Sequence, residues 1–75
     1  MPLTVDHLRG LPGLRRAARD RLLAAQPTTV REALSIPDVG RSTTRELLAM
    51  GLLTDPDRIQ KRTIAQVERE LRRRR

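Results

Sequence analysis

Two short segments of this 75-residue chain hold the residue types that can do chemistry. One reads Leu11-Pro12-Gly13-Leu14-Arg15-Arg16, the other Ile36-Pro37-Asp38-Val39-Gly40-Arg41-Ser42-Thr43. Each is a Pro/Gly turn that runs straight into a helix-forming stretch, and the chemistry it offers is anion binding. The first N–H groups of a helix have no intrahelical partner and lie at the positive end of its dipole. A tight turn leading into that helix adds further N–H groups and makes a concavity suited to phosphate. Glycine is favoured there because a side chain would hold the phosphate off and because positive φ is needed. The candidate phosphate-binding residues are Gly13, Leu14, Arg15 and Arg16 in the first turn, and Val39, Gly40, Arg41, Ser42 and Thr43 in the second. Their apolar members, with Leu11 and Ile36, also read as plugs into a core. Contacts to phosphate through main-chain donors carry no base information.

No catalytic machinery is visible beside them. His7 is the one histidine and cysteine is absent, so neither a metal-ligand cluster nor a thiolate can be assembled. No nucleophile stands at a useful spacing from a base. Thr43-x-x-Glu46 has the spacing of a capping box, not of an acid/base pair. The expectation is a chain with no catalytic residue, no metal and no cofactor, which is not an enzyme.

Composition narrows the partners. The formal charge is +7, carried by 16 basic residues of which Lys61 is the sole lysine. Arginine richness can follow from genome composition, but the net excess cannot, and a small basic domain favours a polyanion such as nucleic acid. The excess is uneven. Residues 1–26 and 52–75 carry it, while residues 27–51 balance Arg31, Arg41 and Arg45 against Glu32, Asp38 and Glu46. With no aromatic residue, the core must be Leu, Ile, Val, Met and Ala. No apolar run approaches a membrane span and no signal-peptide h-region is present, so no membrane partner is expected. A reducing, cytoplasmic setting fits the missing cysteines (nucleoid-associated in a bacterium).

What positions the turns is a repeat. Shifted by twenty-five residues, Pro2 falls on Pro27, Thr4 on Thr29, Val5 on Val30, Pro12 on Pro37 and Arg16 on Arg41. Leu22-Leu23-Ala24 falls on Leu47-Leu48-Ala49. A period of this size means one supersecondary unit used twice, each copy burying its apolar side against the other. The pattern predicts an all-α fold of five short helices. Thr4 caps the first, Val5 to Arg9; the second spans Leu14 to Ala25. The third follows Thr29, where Thr29-x-x-Glu32 has capping-box spacing. The fourth spans Arg41 to Met50, with Gly51 just past its end. The fifth starts at Asp55-Pro56-Asp57, with Asp55 as N-cap, and reaches Arg73. Along it Ile64, Val67 and Leu71 form an apolar strip, while Arg58, Lys61, Arg62, Arg69, Arg72 and Arg73 gather opposite. Glu68 and Arg72 are spaced for an i,i+4 pair. The Arg72–Arg75 run reads as a solvated tail. That basic side reads either as a face along phosphates or as the wet back of a docked amphipathic helix.

These turns resemble the helix-hairpin-helix family. Its turn has the form apolar-Pro-Gly-apolar-Gly, then a basic or polar residue, a Thr/Ala position and a Leu-Leu pair. Ile36-Pro37-Asp38-Val39-Gly40-Arg41-Ser42-Thr43-Thr44-Arg45-Glu46-Leu47-Leu48 follows it closely. The first copy follows through Leu11-Pro12-Gly13-Leu14, then Ala17-Ala18 and Leu22-Leu23. The resemblance implies a tandem domain over residues 1–53, made of two pseudo-symmetric helix-hairpin-helix units; residues 54–75, beyond it, are read from their own pattern as a basic amphipathic C-terminal helix. It implies binding to duplex or branched DNA, paired hairpins straddling the minor groove. Each turn departs by keeping one of the two glycines. Arg15 stands where the second Gly belongs in the first turn, and Asp38 where the first belongs in the second. Asp tolerates left-handed geometry, but its carboxylate opposes phosphate unless Arg41 neutralises it. The rival expectation is a protein-interaction scaffold using the C-terminal helix, and duplex RNA is a third.

Overall fold

The computed structural model describes residues 2–73. Of the expected basic tail, Arg74 and Arg75 lie outside the described residues. The described chain is helical, with five α-helices and a 3-10 helix: α1 (Val5–Arg9), α2 (Arg16–Ala25), α3 (Val30–Leu34), α4 (Arg41–Ala49), the 3-10 helix Pro56–Gln60, and α5 (Ile64–Arg73). The all-α expectation holds. No described helix is long and apolar enough to cross a membrane.

The sequence offset reappears in the backbone. α3 starts twenty-five residues after α1, and α4 twenty-five after α2. Gly13 has φ 71° and Asp38, at the matching place, has φ 70°. Gln26 and Gly51 also match, with φ 48° and 78°. α2 starts later than expected, because Arg15 stays extended as its N-cap and Leu14 precedes it.

Local chemistry sets the helix ends. The Thr4 hydroxyl accepts from the His7 N–H, and His7 Nδ1 accepts from the Thr4 N–H at 3.1 Å. His7 thus takes the capping-box role usually played by Glu or Gln. At α3 the Thr29 hydroxyl accepts from the Glu32 N–H at 3.1 Å. The return half of the expected box is displaced by one residue, since the Glu32 carboxylate accepts from the Thr28 N–H and hydroxyl, both at 3.2 Å. At the end of α4 the Gly51 N–H donates to the Leu48 carbonyl and the Leu52 N–H to the Leu47 carbonyl, both at 3.0 Å. That is the Schellman pattern, with Gly51 supplying the left-handed residue. Thr43 lies inside the first turn of α4, so it caps nothing.

One apolar cluster joins both halves: Leu3, Leu8, Leu11, Ala18 and Leu22 pack with Ala33, Val39, Leu47 and Leu53. A second forms where α5 docks, with Val67 on Val30 and Leu34, flanked by Leu48, Ile64 and Leu71. The two halves differ here. Val30 is fully buried under α5, whereas its counterpart Val5 is 40% exposed. The approach to each unit also differs. Gln26 holds Leu3 with its side-chain amide, accepting from the Leu3 N–H at 2.7 Å and donating to the Leu3 carbonyl at 2.9 Å. The matching Thr28 carbonyl instead accepts from the main-chain N–H of Thr54 at 2.9 Å, and Val30 N–H donates to the Thr54 carbonyl at 2.9 Å.

The expected single C-terminal helix is two elements. Lys61 adopts φ 58°, and a new helix starts after Thr63. No apolar side chain in Gln60–Thr63 ties that stretch to the core, and Thr63-x-x-Gln66 forms its own capping box. The Thr63 N–H donates to Gln66 Oε1 at 2.8 Å, and the Gln66 N–H to the Thr63 hydroxyl at 3.2 Å. Asp55 makes no side-chain cap bond, contrary to expectation. The break lets the 3-10 helix approach α3 separately from α5. Arg31 bridges all three, donating to both oxygens of Asp57 (2.9 and 3.3 Å) and to Glu70 (3.3 Å). Arg62 completes the cluster, donating to Glu70 at 3.0 Å. Arg62 therefore belongs to a charge-balanced internal network and not to a free basic face.

Candidate nucleic-acid interface

Five α-helix starts can be compared, and they divide in two. α1, α3 and α5 are each capped by a threonine hydroxyl (Thr4, Thr29 and Thr63). α2 and α4, the helices that follow the two turns, have no side-chain cap. The extended N-cap residues, Arg15 and Gly40, explain this: neither carries a short hydroxyl or carboxylate that can fold back on the first turn. The sequence thus leaves donors unsatisfied at the two places where a phosphate would use them.

Around the first turn Gly13, Arg15 and Arg16 are exposed, and Leu14 is half-buried against the core. Arg15 and Arg16 have no ion-pair partner among the described residues, and no acidic side chain pairs into this turn. A Cβ built on Gly13 meets nothing within 4 Å, so it is the positive φ, not crowding, that calls for glycine there.

The second turn is built differently. Val39 is only 6% exposed and sits in the core, and its N–H closes the turn by donating to the Ile36 carbonyl at 3.2 Å. Neither its side chain nor its amide is free for a ligand. Gly40, Arg41 and Ser42 are exposed, Thr43 half so. Gly40 has φ −102° and open space where a Cβ would be, so the fold does not demand glycine at this place. The Gly40 carbonyl accepts from both the Thr44 N–H (3.1 Å) and the buried Thr44 hydroxyl (2.9 Å), which ties down the first turn of α4.

The ion pairs correct one sequence expectation. Asp38 is neutralised by Arg21 of α2, at 3.2 Å, and not by Arg41. Arg41 reaches to α5, where it pairs with Glu68 at 3.3 Å. The expected Glu68–Arg72 pair is present but long, at 3.9 Å. Glu68 is the link that sequence reading missed, because its nearer partner lies on another helix. α5 also walls a groove of about 260 Å³ beside the second turn, lined by residues 36–40 together with Leu34, Glu68, Leu71 and Arg72. The two turns are therefore inequivalent: the first is bare and basic, the second is flanked by paired acids and by α5.

Among the described residues no group of histidine, cysteine or carboxylate side chains is placed to hold a metal ion. Comparison with protein-family models, with curated proteins and with solved structures finds no match to this chain.

Proposed function

We propose that this chain is a non-enzymatic, helix-hairpin-helix-like module that binds DNA, duplex or branched, by its phosphates and without sequence preference. One observation carries the proposal: the two helices that follow the repeated turns are the two α-helices that start without a side-chain cap. Net charge of +7 supplies the long-range attraction that such a site needs. The first turn is the stronger half, since Arg15 and Arg16 stand exposed beside unpaired N–H groups. The second turn offers the N–H groups of Arg41 and Ser42, with less positive charge around them.

The test is a salt titration of binding to a fluorescent 20-base-pair duplex. The log of affinity should fall linearly with log salt, by about 0.9 per phosphate neutralised. R15E/R16E should cut affinity at least tenfold with unchanged helical content. Binding that ignores salt, or that survives this reversal, would overturn the proposal.

A scaffold reading has one observation in its favour, the internal pairing of both Asp38 and Arg41 at the second turn. The apolar strip of α5 does not serve it, because Val67, Ile64 and Leu71 are spent on Val30 and Leu34. A concentration-dependent dimer that ignores DNA in sedimentation would favour that reading.

A further inference from the structure

Two clusters of charge flank α5, and their balance differs. On one side Arg31 and Arg62 meet Asp57 and Glu70, two cations against two carboxylates. That cluster is self-satisfied and holds the C-terminal segment in place. On the other side a groove of about 200 Å³ is lined by Arg41, Ala65, Glu68, Arg69 and Arg72. Here three guanidiniums surround one carboxylate. Glu68 is mostly buried, 16% exposed, and takes Arg41 at 3.3 Å and Arg72 at 3.9 Å. Arg69 has no ion-pair partner among the described residues and is exposed. Asp38, the next acid along the adjoining groove, is already held by Arg21. Three forks of five donors each cannot be satisfied by one carboxylate.

From this imbalance we infer that the α4–α5 groove is a second phosphate site, in which Arg69 and Arg72, with Arg41, take a backbone phosphodiester of the bound duplex. Glu68 positions two of these side chains: it holds Arg41 and, at longer range, Arg72 at the groove, and so lowers the entropy lost when a phosphate arrives, while Arg69 stays unpaired beside them. Guanidinium forks match the paired oxygens of a phosphodiester. The groove adjoins the second turn, so it supplies the positive charge that this turn lacks. This inference rests on the phosphate-binding reading above and adds α5 to the surface that carries it.

The experiment compares wild type, R69A/R72A and R69K/R72K on the 20-base-pair duplex across a salt series, with thermal melts of each protein. R69A/R72A should melt like wild type, weaken binding about tenfold at low salt and reduce the salt slope by about one to two. R69K/R72K should keep most of the slope while losing part of the affinity, since an ammonium keeps the charge but not the fork. Sodium tripolyphosphate at matched ionic strength should compete poorly. An unchanged slope in R69A/R72A, or tripolyphosphate binding as tightly as duplex, would overturn the inference. In the first of these outcomes wild type still loses binding on R15E/R16E, so the first-turn reading stands. If wild type binds no duplex at all, both fall.

Discussion

Positions 13 and 38 take the same left-handed conformation with different side chains, and the two side chains do different structural work. Glycine reaches φ near 70° without a Cβ penalty, and aspartate is among the few other residues that tolerate it. Gly13→Ala should therefore cost about 1 kcal/mol, read as a lower urea midpoint, whereas Gly13→Asn should cost clearly less. If the two variants were equally stable, the turn would be able to relax away from positive φ. Asp38 does more than tolerate the bend, because its carboxylate anchors Arg21 of α2, in the other unit. The bend itself was legible in the sequence from Pro12-Gly13 and Pro37-Asp38. The partner was not, because Arg21 lies on α2 and no local spacing pairs it with Asp38. The same holds for Arg41 and Glu68, which local spacing cannot join. Val39 had two readings, a core plug and a ligand contact, and the fold takes the first: its side chain is buried and its amide closes the turn.

At the scale of elements, the C-terminal segment is held by chemistry as much as by apolar area. Arg31 joins α3 to the 3-10 helix and to α5, and its hydrogen bonds to Asp57 draw that carboxyl below the usual aspartate range. The same contact raises the Arg31 guanidinium above its ordinary value. A carboxyl whose folded value is depressed stabilises fully above its unfolded value, about 3.9, and that stabilisation fades as pH falls through the lower folded value. Thermal stability should therefore be level at neutral pH and decline below about pH 4. Asp57→Asn should lower the neutral-pH melting temperature by several degrees, from about 1–2 kcal/mol of lost charged hydrogen bonds, and should flatten the acid decline. An unaltered acid limb would show that Asp57 does not report this linkage. The starts of α1, α3 and α4 could be read directly from Thr4, Thr29 and the Gly40–Arg41 junction. The break before α5 could not be read from glycine or proline, since Lys61 carries the positive φ. Its one readable mark was Thr63-x-x-Gln66, the same capping-box spacing that announced α3.

For the molecule as a whole, charge and packing divide the chain along different lines. The two units share one element order, but the cations concentrate on the first unit and on residues 52–75, while the acids that pair with arginine lie in all three parts: Asp6 and Asp20 in the first unit, Asp38 in the second, and Asp57, Glu68 and Glu70 after it. That distribution was visible in the sequence; its meaning was not, because only the folded chain shows which acids are committed to internal partners. Packing divides the two units more sharply. α5 lies over Val30 and Leu34, and nothing among the described residues lies over Val5 in the same way. The N-terminal segment is instead fastened by Leu3 and Leu8 in the main core and by the Gln26 side-chain amide, with no second layer above it among the described residues. Breathing of this domain is therefore lopsided: its front end should swing open many times before the roofed end loosens at all. Deuterium should enter the amides of α1 well ahead of those of α3, and Gln26→Ala should widen that gap while sparing the roofed helix pair.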